Sequence, residues 1–203
     1  MATSPTDIAN LALSEIGARL IASLETENSE EARVCRLHYP QARDALLRQH
    51  QWNFAIVRAD LSKLAEAPLD DWDSAWQMPA DCARVVRIAS GNPQVVCGDF
   101  TIEGRTLLTR GVEVVSLVYV SNAAPVPDWD SLFVEAMTYL LASKIAGPIA
   151  QSPGLATDML NKFKQLALPE AKTVDAREVL SGENAGFRQL MLNSPLHNAR
   201  FHC

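Results

Sequence analysis

Arg84-Val85-Val86-Arg87-Ile88, Val95-Val96-Cys97, Phe100-Thr101-Ile102, Thr106-Leu107-Leu108 and the run from Glu113 to Val120 are short, β-branched segments lying close together. Turn residues part them: Gly91-Asn92-Pro93, Gly98-Asp99, Gly104-Arg105 and Arg110-Gly111. Spacing this tight admits only antiparallel hairpins, since a parallel link needs a crossover of about a dozen residues. The stretch therefore predicts a small β-meander. On both sides of it the apolar period lengthens to that of a helix.

Ser4-Pro5-Thr6-Asp7 opens the first helix with a capping hydroxyl, a proline at the first helical position and a carboxylate three residues after the cap. Ile8, Leu11, Ala12 and Ile16 follow at helical spacing, and Gly17 supplies a stop. Asn28-Ser29-Glu30-Glu31 starts a second helix with acids at the positive end of its dipole. Its stripe is Cys35, Tyr39, Ala42 and Leu46, and Pro40 predicts a kink or break. After the stiff link Pro125-Val126-Pro127, Asp128 caps a third helix whose face is Phe133, Ala136, Met137, Leu140, Leu141 and Ile145, ended by Gly147-Pro148. Ser152-Pro153 begins a fourth, with Leu155, Met159, Phe163 and Leu166 in line and Pro169 bending or interrupting it.

Because the strands lie between the helical zones in sequence, those zones must bury their faces on each other. The expected fold is α+β and mainly α, an antiparallel helical bundle with a small antiparallel β-meander inserted between the helical halves. Residues 1–57 and 125–181 form the bundle, 58–124 the linker and inserted β-domain, and 182–203 a C-terminal tail, extended or docked on a partner.

Composition is that of an ordinary globular chain, 48% hydrophobic and 21% charged over 203 residues. With 24 acids against 18 bases the net charge is -6, and no run of Lys and Arg offers a nucleic-acid footprint. Cys35, Cys82, Cys97 and Cys203 stand far apart, which favours free thiols in a reducing compartment. The N-terminus lacks the pattern of a signal peptide, and no apolar run approaches the roughly 20 residues needed to span a bilayer. The expected place of synthesis and assembly is the cytoplasm.

Reactive constellations are few. Cys35 and His38 share a helix face, but zinc takes about four ligands and no others stand at a useful spacing. His197, His202 and Cys203 cluster on the tail. Asp70-Asp71-Trp72-Asp73 lacks the glycine and distal glutamate of a calcium loop and reads as a solvated turn. No nucleophile elbow or phosphate loop is present, and the glycines between 98 and 104 are explained by turns. Neither an enzyme, a cofactor nor a metal is expected. Trp52, Phe54, Trp72, Trp76 and Trp129 lie at junctions between elements. Either they wedge strands against helices or some of them anchor a subunit interface.

A resemblance emerges from an ordered set of segments. It runs from Asn10-Leu11-Ala12-Leu13 through Ile16-Gly17 and the acidic stretch Glu25 to Glu31 to Ala32-Arg33-Val34-Cys35. Then come Arg43-Asp44-x-Leu46-Leu47, Trp52-Asn53-Phe54-Ala55, Pro79-x-Asp81-Cys82-x-Arg84-Val85, Trp129-Asp130-x-x-Phe133 and Leu141-Ala142. Together these resemble the tail tubular protein A family, the head-to-tail adaptors or connectors of short-tailed bacteriophages, over about residues 7 to 180. The resemblance implies a structural virion protein at the head–tail junction, in a closed ring of about twelve copies with heterologous contacts. Its partners would be the portal protein above and the tail nozzle, tail tubular protein B or other tail components, below, with genomic DNA passing through without specific binding and no membrane involved. It carries no catalytic residue.

Candidate interface residues are Trp52, Phe54, Trp72 and Trp76, together with Phe187, Arg188, Leu190, Met191, Leu192, Arg200 and Phe201 on the tail. The tail's apolar run is expected to order on the portal. The competing reading is a phage DNA-binding packaging or regulatory protein using Arg33, Arg36, Arg43 and Arg48 on the second helix.

Overall fold

In a computed structural model of the chain, residues 4–66, 68, 71–90 and 100–178 are described. Among these residues the helices and strands form a mixed α/β arrangement: α1 (Pro5–Glu15), α2 (Glu30–Leu47), β1 (Ile56–Asp60), β2 (Ser62–Lys63), β3 (Ser74–Gln77), β4 (Cys82–Ser90), β5 (Phe100–Glu103), β6 (Thr106–Thr109), β7 (Val115–Ser121), α3 (Ser131–Ala150) and α4 (Pro153–Lys162). Two antiparallel sheets, ordered β1-β7-β4 and β2-β3-β6-β5, replace the expected meander.

The expectation of a mainly helical bundle with a small inserted meander is therefore wrong. The strands begin at Ile56, well before the β-branched runs, and the pairs β1-β7, β7-β4 and β3-β6 are not consecutive in the chain. β1 pairs with β7 across the whole insertion, Ile56 opposite Val120. β3, Ser74-Ala75-Trp76-Gln77, carries no β-branched residue and owes its state to pairing with β6. Strands this short are decided by burial and partners more than by propensity.

The β1-β7-β4 sheet is the middle layer. Alternation along β7 sends Val120 toward the helices, with Ile56 and Val86 beside it. Val115, Leu117 and Tyr119 point the other way, into a second core with Leu61, Trp76, Met78, Leu107 and Val112. On the helical side, residues from both ends of the chain meet: Ile8 and Leu13 of α1, Leu46 and Leu47 of α2, and Phe133, Met137, Leu141 and Ile145 of α3. α3 is the central helix, packed by α1, α2 and α4. By length and composition alone it could cross a membrane. Its inward positions are instead the middle of this core.

Local chemistry sets the helix ends. Ser4, Ser29 and Ser152 each accept a backbone N–H three residues on. The third helix is capped by Asp130, which accepts from Leu132, and the expected cap Asp128 lies in a short turn before it. α2 runs unbroken through Pro40. That proline is on the solvent side, where water can take the carbonyl it leaves bare, while Tyr39 and Ala42 hold the buried face. α3 likewise continues past Gly147-Pro148 and stops where Gln151 turns left-handed at φ 50°.

Pro169 has an indirect effect. Beyond α4 a wide turn over Phe163–Ala167 closes with the Leu168 N–H on the Phe163 carbonyl, and helix resumes over 168–178. Widening displaces the carbonyl that the Pro169 ring would otherwise strike. It also rotates the stripe: Leu166 faces out, 64% exposed, and Ala167 and Ala171 face in.

Candidate functional site

The joint between helices and sheet is the most heavily built region. After α2, the chain turns through Trp52-Asn53-Phe54-Ala55 into β1, and Trp129 stands just before α3. Phe133, on the first turn of α3, receives three edge-to-face contacts, from Trp52 at 4.9 Å, Phe54 at 4.8 Å and Trp129 at 4.9 Å. Such pairs add about 0.5–1.5 kcal/mol each beyond burial. Both indoles satisfy their N–H groups on backbone, Trp52 on the Leu46 carbonyl and Trp129 on the Ala124 carbonyl, each at 3.1 Å.

Asp175, on the helix over 168–178, locks the same corner. One carboxylate oxygen accepts the Asn53 backbone N–H at 3.0 Å and the other meets His50 Nε2 at 2.9 Å. The Asn53 amide returns a bond to the Asp175 carbonyl at 2.9 Å. A buried carboxylate held this way fixes where the last helix lies on the α2–β1 turn. His50 and Asp175 escape a reading of the sequence because 125 positions part them. The available signal was an acid in step with Ala167 and Ala171 on an inward stripe.

Pro79-x-Asp81-Cys82 is a second knot. Asp81 accepts from the Tyr119 hydroxyl at 3.2 Å and from Ser121 Oγ at 2.6 Å, and its carbonyl takes the Asn122 N–H at 2.9 Å. The start of β4 is thereby tied to the end of β7. Burial, then the Asp81 charge, push the Tyr119 phenol up to about 12. Arg105 donates to the Pro79 carbonyl from the β5–β6 turn.

Of the tryptophans named from the sequence, Trp52 is 1% exposed and wedged in the joint, and Trp76 is 2% exposed with its N–H on Thr109 Oγ1 at 2.9 Å. Phe54 is half-buried in the aromatic cluster. Trp72 is half-buried under the Arg110 guanidinium, 4.9 Å from the ring centre. Arg110 also pairs with Asp71 at 3.4 Å, and Asp73 accepts the Gly111 N–H at 2.9 Å. The acids at 71 and 73 thus pin their loop to the β6–β7 turn. Phe187, Arg188, Leu190, Met191, Leu192, Arg200 and Phe201, with the His197, His202 and Cys203 cluster, lie outside the described residues.

Cys35 and His38 both sit on α2, and the thiol is in a setting adverse to metal ligation. Burial, reinforced by Glu31, raises the Cys35 thiol to about 11, which disfavours thiolate. Burial and then the Lys144 charge lower the His38 pKa. Among the described residues no three His, Cys, Asp or Glu side chains come together as a metal site. Along α2, Arg36 donates to the carbonyls of Leu24 and Glu27, and Arg43 pairs with Asp44.

What this geometry can do is hold parts in fixed relation. No protein-family model matches the chain, and no curated protein matches it at a significant level.

Proposed function

We propose that the chain is a head-to-tail adaptor subunit of a tailed bacteriophage, a structural protein that forms a ring between portal and tail nozzle and leaves a passage for DNA. The observation that carries this reading is where the family-like segments lie. Trp52-Asn53-Phe54 and Trp129-Asp130-x-x-Phe133 build the knot that joins helices to sheet, and Pro79-x-Asp81 the knot that ties β4 to β7. Asn10 belongs to the same pattern, exchanging two bonds with the Ile21 backbone at 2.9 and 2.8 Å to fix the loop after α1. A signature made of architectural residues suits a protein whose task is shape. The competing role of sequence-reading regulator draws less support, since Arg36 and Arg43 of its proposed face are engaged within the subunit.

Electron microscopy of the purified protein, alone and mixed with its cognate portal, tests the reading. Closed rings of about twelve copies seated on the portal are expected. A protein that stays monomeric and leaves the portal bare would end it.

A further inference from the structure

We propose that the arginine-bearing part of the helix-side face of the β1-β7-β4 sheet, which the helices leave exposed, binds the phosphate backbone of nucleic acid without regard to base sequence. The linear sequence hides this surface, because its arginines come from three separate segments, the end of α2, β1 and β4. Directly paired residues of an antiparallel sheet share a face. Arg58 and Arg87 both oppose Val118, one from each side, and Arg84 opposes Val120 in the next row on that face. Arg48, just past α2, reaches the same row: it donates to the Ala83 carbonyl at 2.7 Å, and Arg84 reaches the Arg48 carbonyl at 3.5 Å.

Two features mark the cluster as more than chance. Residues 84 and 87 are an odd number apart, so a regular strand would send their side chains to opposite faces. The register of β4 slips twice, between Cys82 and Arg84 and again between Val85 and Arg87, and the second slip brings both arginines to one face. Bulges commonly re-aim side chains at functional surfaces. Secondly, in a chain of net charge -6, none of Arg48, Arg58, Arg84 and Arg87 has a carboxylate in ion-pair range among the described residues. The acid on the same face, Asp60, is engaged by Ser116. Like charges gathered on one sheet face repel, and an external anion relieves that repulsion.

The ligand is a polyanion because the surface is open and spread out. Arg58 and Arg87 are separated by two strand spacings, about 10 Å. That width covers roughly three phosphates of one strand along a duplex axis. Arg48, Arg58 and Arg87 are exposed and Arg84 half-buried, so the guanidinium groups line an open face. The contact requires one copy of the chain and does not depend on the ring reading.

The test is fluorescence anisotropy of a labelled duplex of about 20 base pairs, titrated with the full-length protein at salt concentrations from roughly 50 to 200 mM. Four phosphate contacts predict a log–log slope of about -3.5, a loss of about 100-fold across that range, and weak, sequence-independent binding at physiological salt. The double variant Arg58→Gln/Arg87→Gln should bind at least about ten-fold more weakly at low salt, with a slope shallower by about two. A control removing the same charge elsewhere, Lys164→Gln/Lys172→Gln, should behave as wild type, and all three proteins should share one melting temperature. Absent binding at low salt, equal losses in both variants, or an unchanged slope in the sheet variant would each overturn the proposal. So would a sheet variant whose self-association changes in sedimentation while DNA binding persists, since the face would then meet the acidic surface of another copy.

Discussion

Asp175 carries three bonds at one corner, and each of its two carboxylate oxygens has a different task. Replacing it with alanine leaves the Asn53 N–H and the His50 ring without an acceptor beside a packed aromatic cluster. Asp175→Ala should lower stability by about 1–3 kcal/mol in urea unfolding, with Asp175→Asn recovering part of it. A midpoint equal to wild type for the alanine variant would show that the corner is held by the aromatics alone. Cys35 sets a pH limit at the other end of the scale. Folding raises its pKa from the ordinary 9.0 to about 11, so the unfolded chain gives up the proton first. The associated stability is complete below pH 9, declines as pH climbs toward 11, and amounts to about 2–3 kcal/mol. Tyr39, one turn along the same buried stripe and pushed up to about 12 by burial, prolongs the decline. Wild type should therefore lose stability between pH 9 and 11 more steeply than Cys35→Ala when unfolding is followed at each pH. Parallel profiles would refute the assignment to Cys35.

Elements differ in how much of them a sequence announces. The four helices were legible because caps and apolar period are local signals: Ser4, Ser29 and Ser152 cap where their spacing says they should. The wide turn at Phe163–Ala167 was not, since it follows from Pro169 and from burying Ala167 in place of Leu166. β1 to β3 were missed because Ile56 and Trp76 find their partners, Val120 and Leu107, tens of residues later. Hairpin β5–β6 was readable from its turn. Glu103 and Thr106 pair across Gly104-Arg105, and Gly104 has φ +59° with nothing within 4 Å of an added Cβ. Its substitution therefore isolates backbone strain. Gly104→Ala should cost about 1–2 kcal/mol. Gly154→Ala, in α4 with ordinary φ and equally open surroundings, should stabilise by about 0.5 kcal/mol. Melting temperatures moving in the same direction for both variants would contradict the turn geometry.

On the scale of the molecule, one strand belongs to two cores. β7 gives Val120 to the helical core and Leu117 and Tyr119 to the core between the sheets, and β4 is divided in the same way between Val86 and Val85. The sequence suggested a helical bundle with a small β-meander inserted between its halves, an arrangement in which the two parts could melt apart. A shared middle sheet instead makes each core a condition of the other, because losing either one exposes an apolar face of the same strands. Truncations on opposite sides of that sheet should therefore act on a single transition. Leu117→Ala removes packing from the sheet-side core and Leu141→Ala from the helical core, both at fully buried positions. Each should lower stability by about 2–5 kcal/mol. Thermal unfolding followed by helical circular dichroism and by tryptophan fluorescence should then give coincident curves for wild type and for both variants. The fluorescence reports on both cores, since Trp52 and Trp129 lie in one and Trp76 in the other. A Leu117→Ala protein whose fluorescence changes well before its helical signal would show that the cores unfold separately. The middle sheet would then be a platform for the helices and not a shared wall.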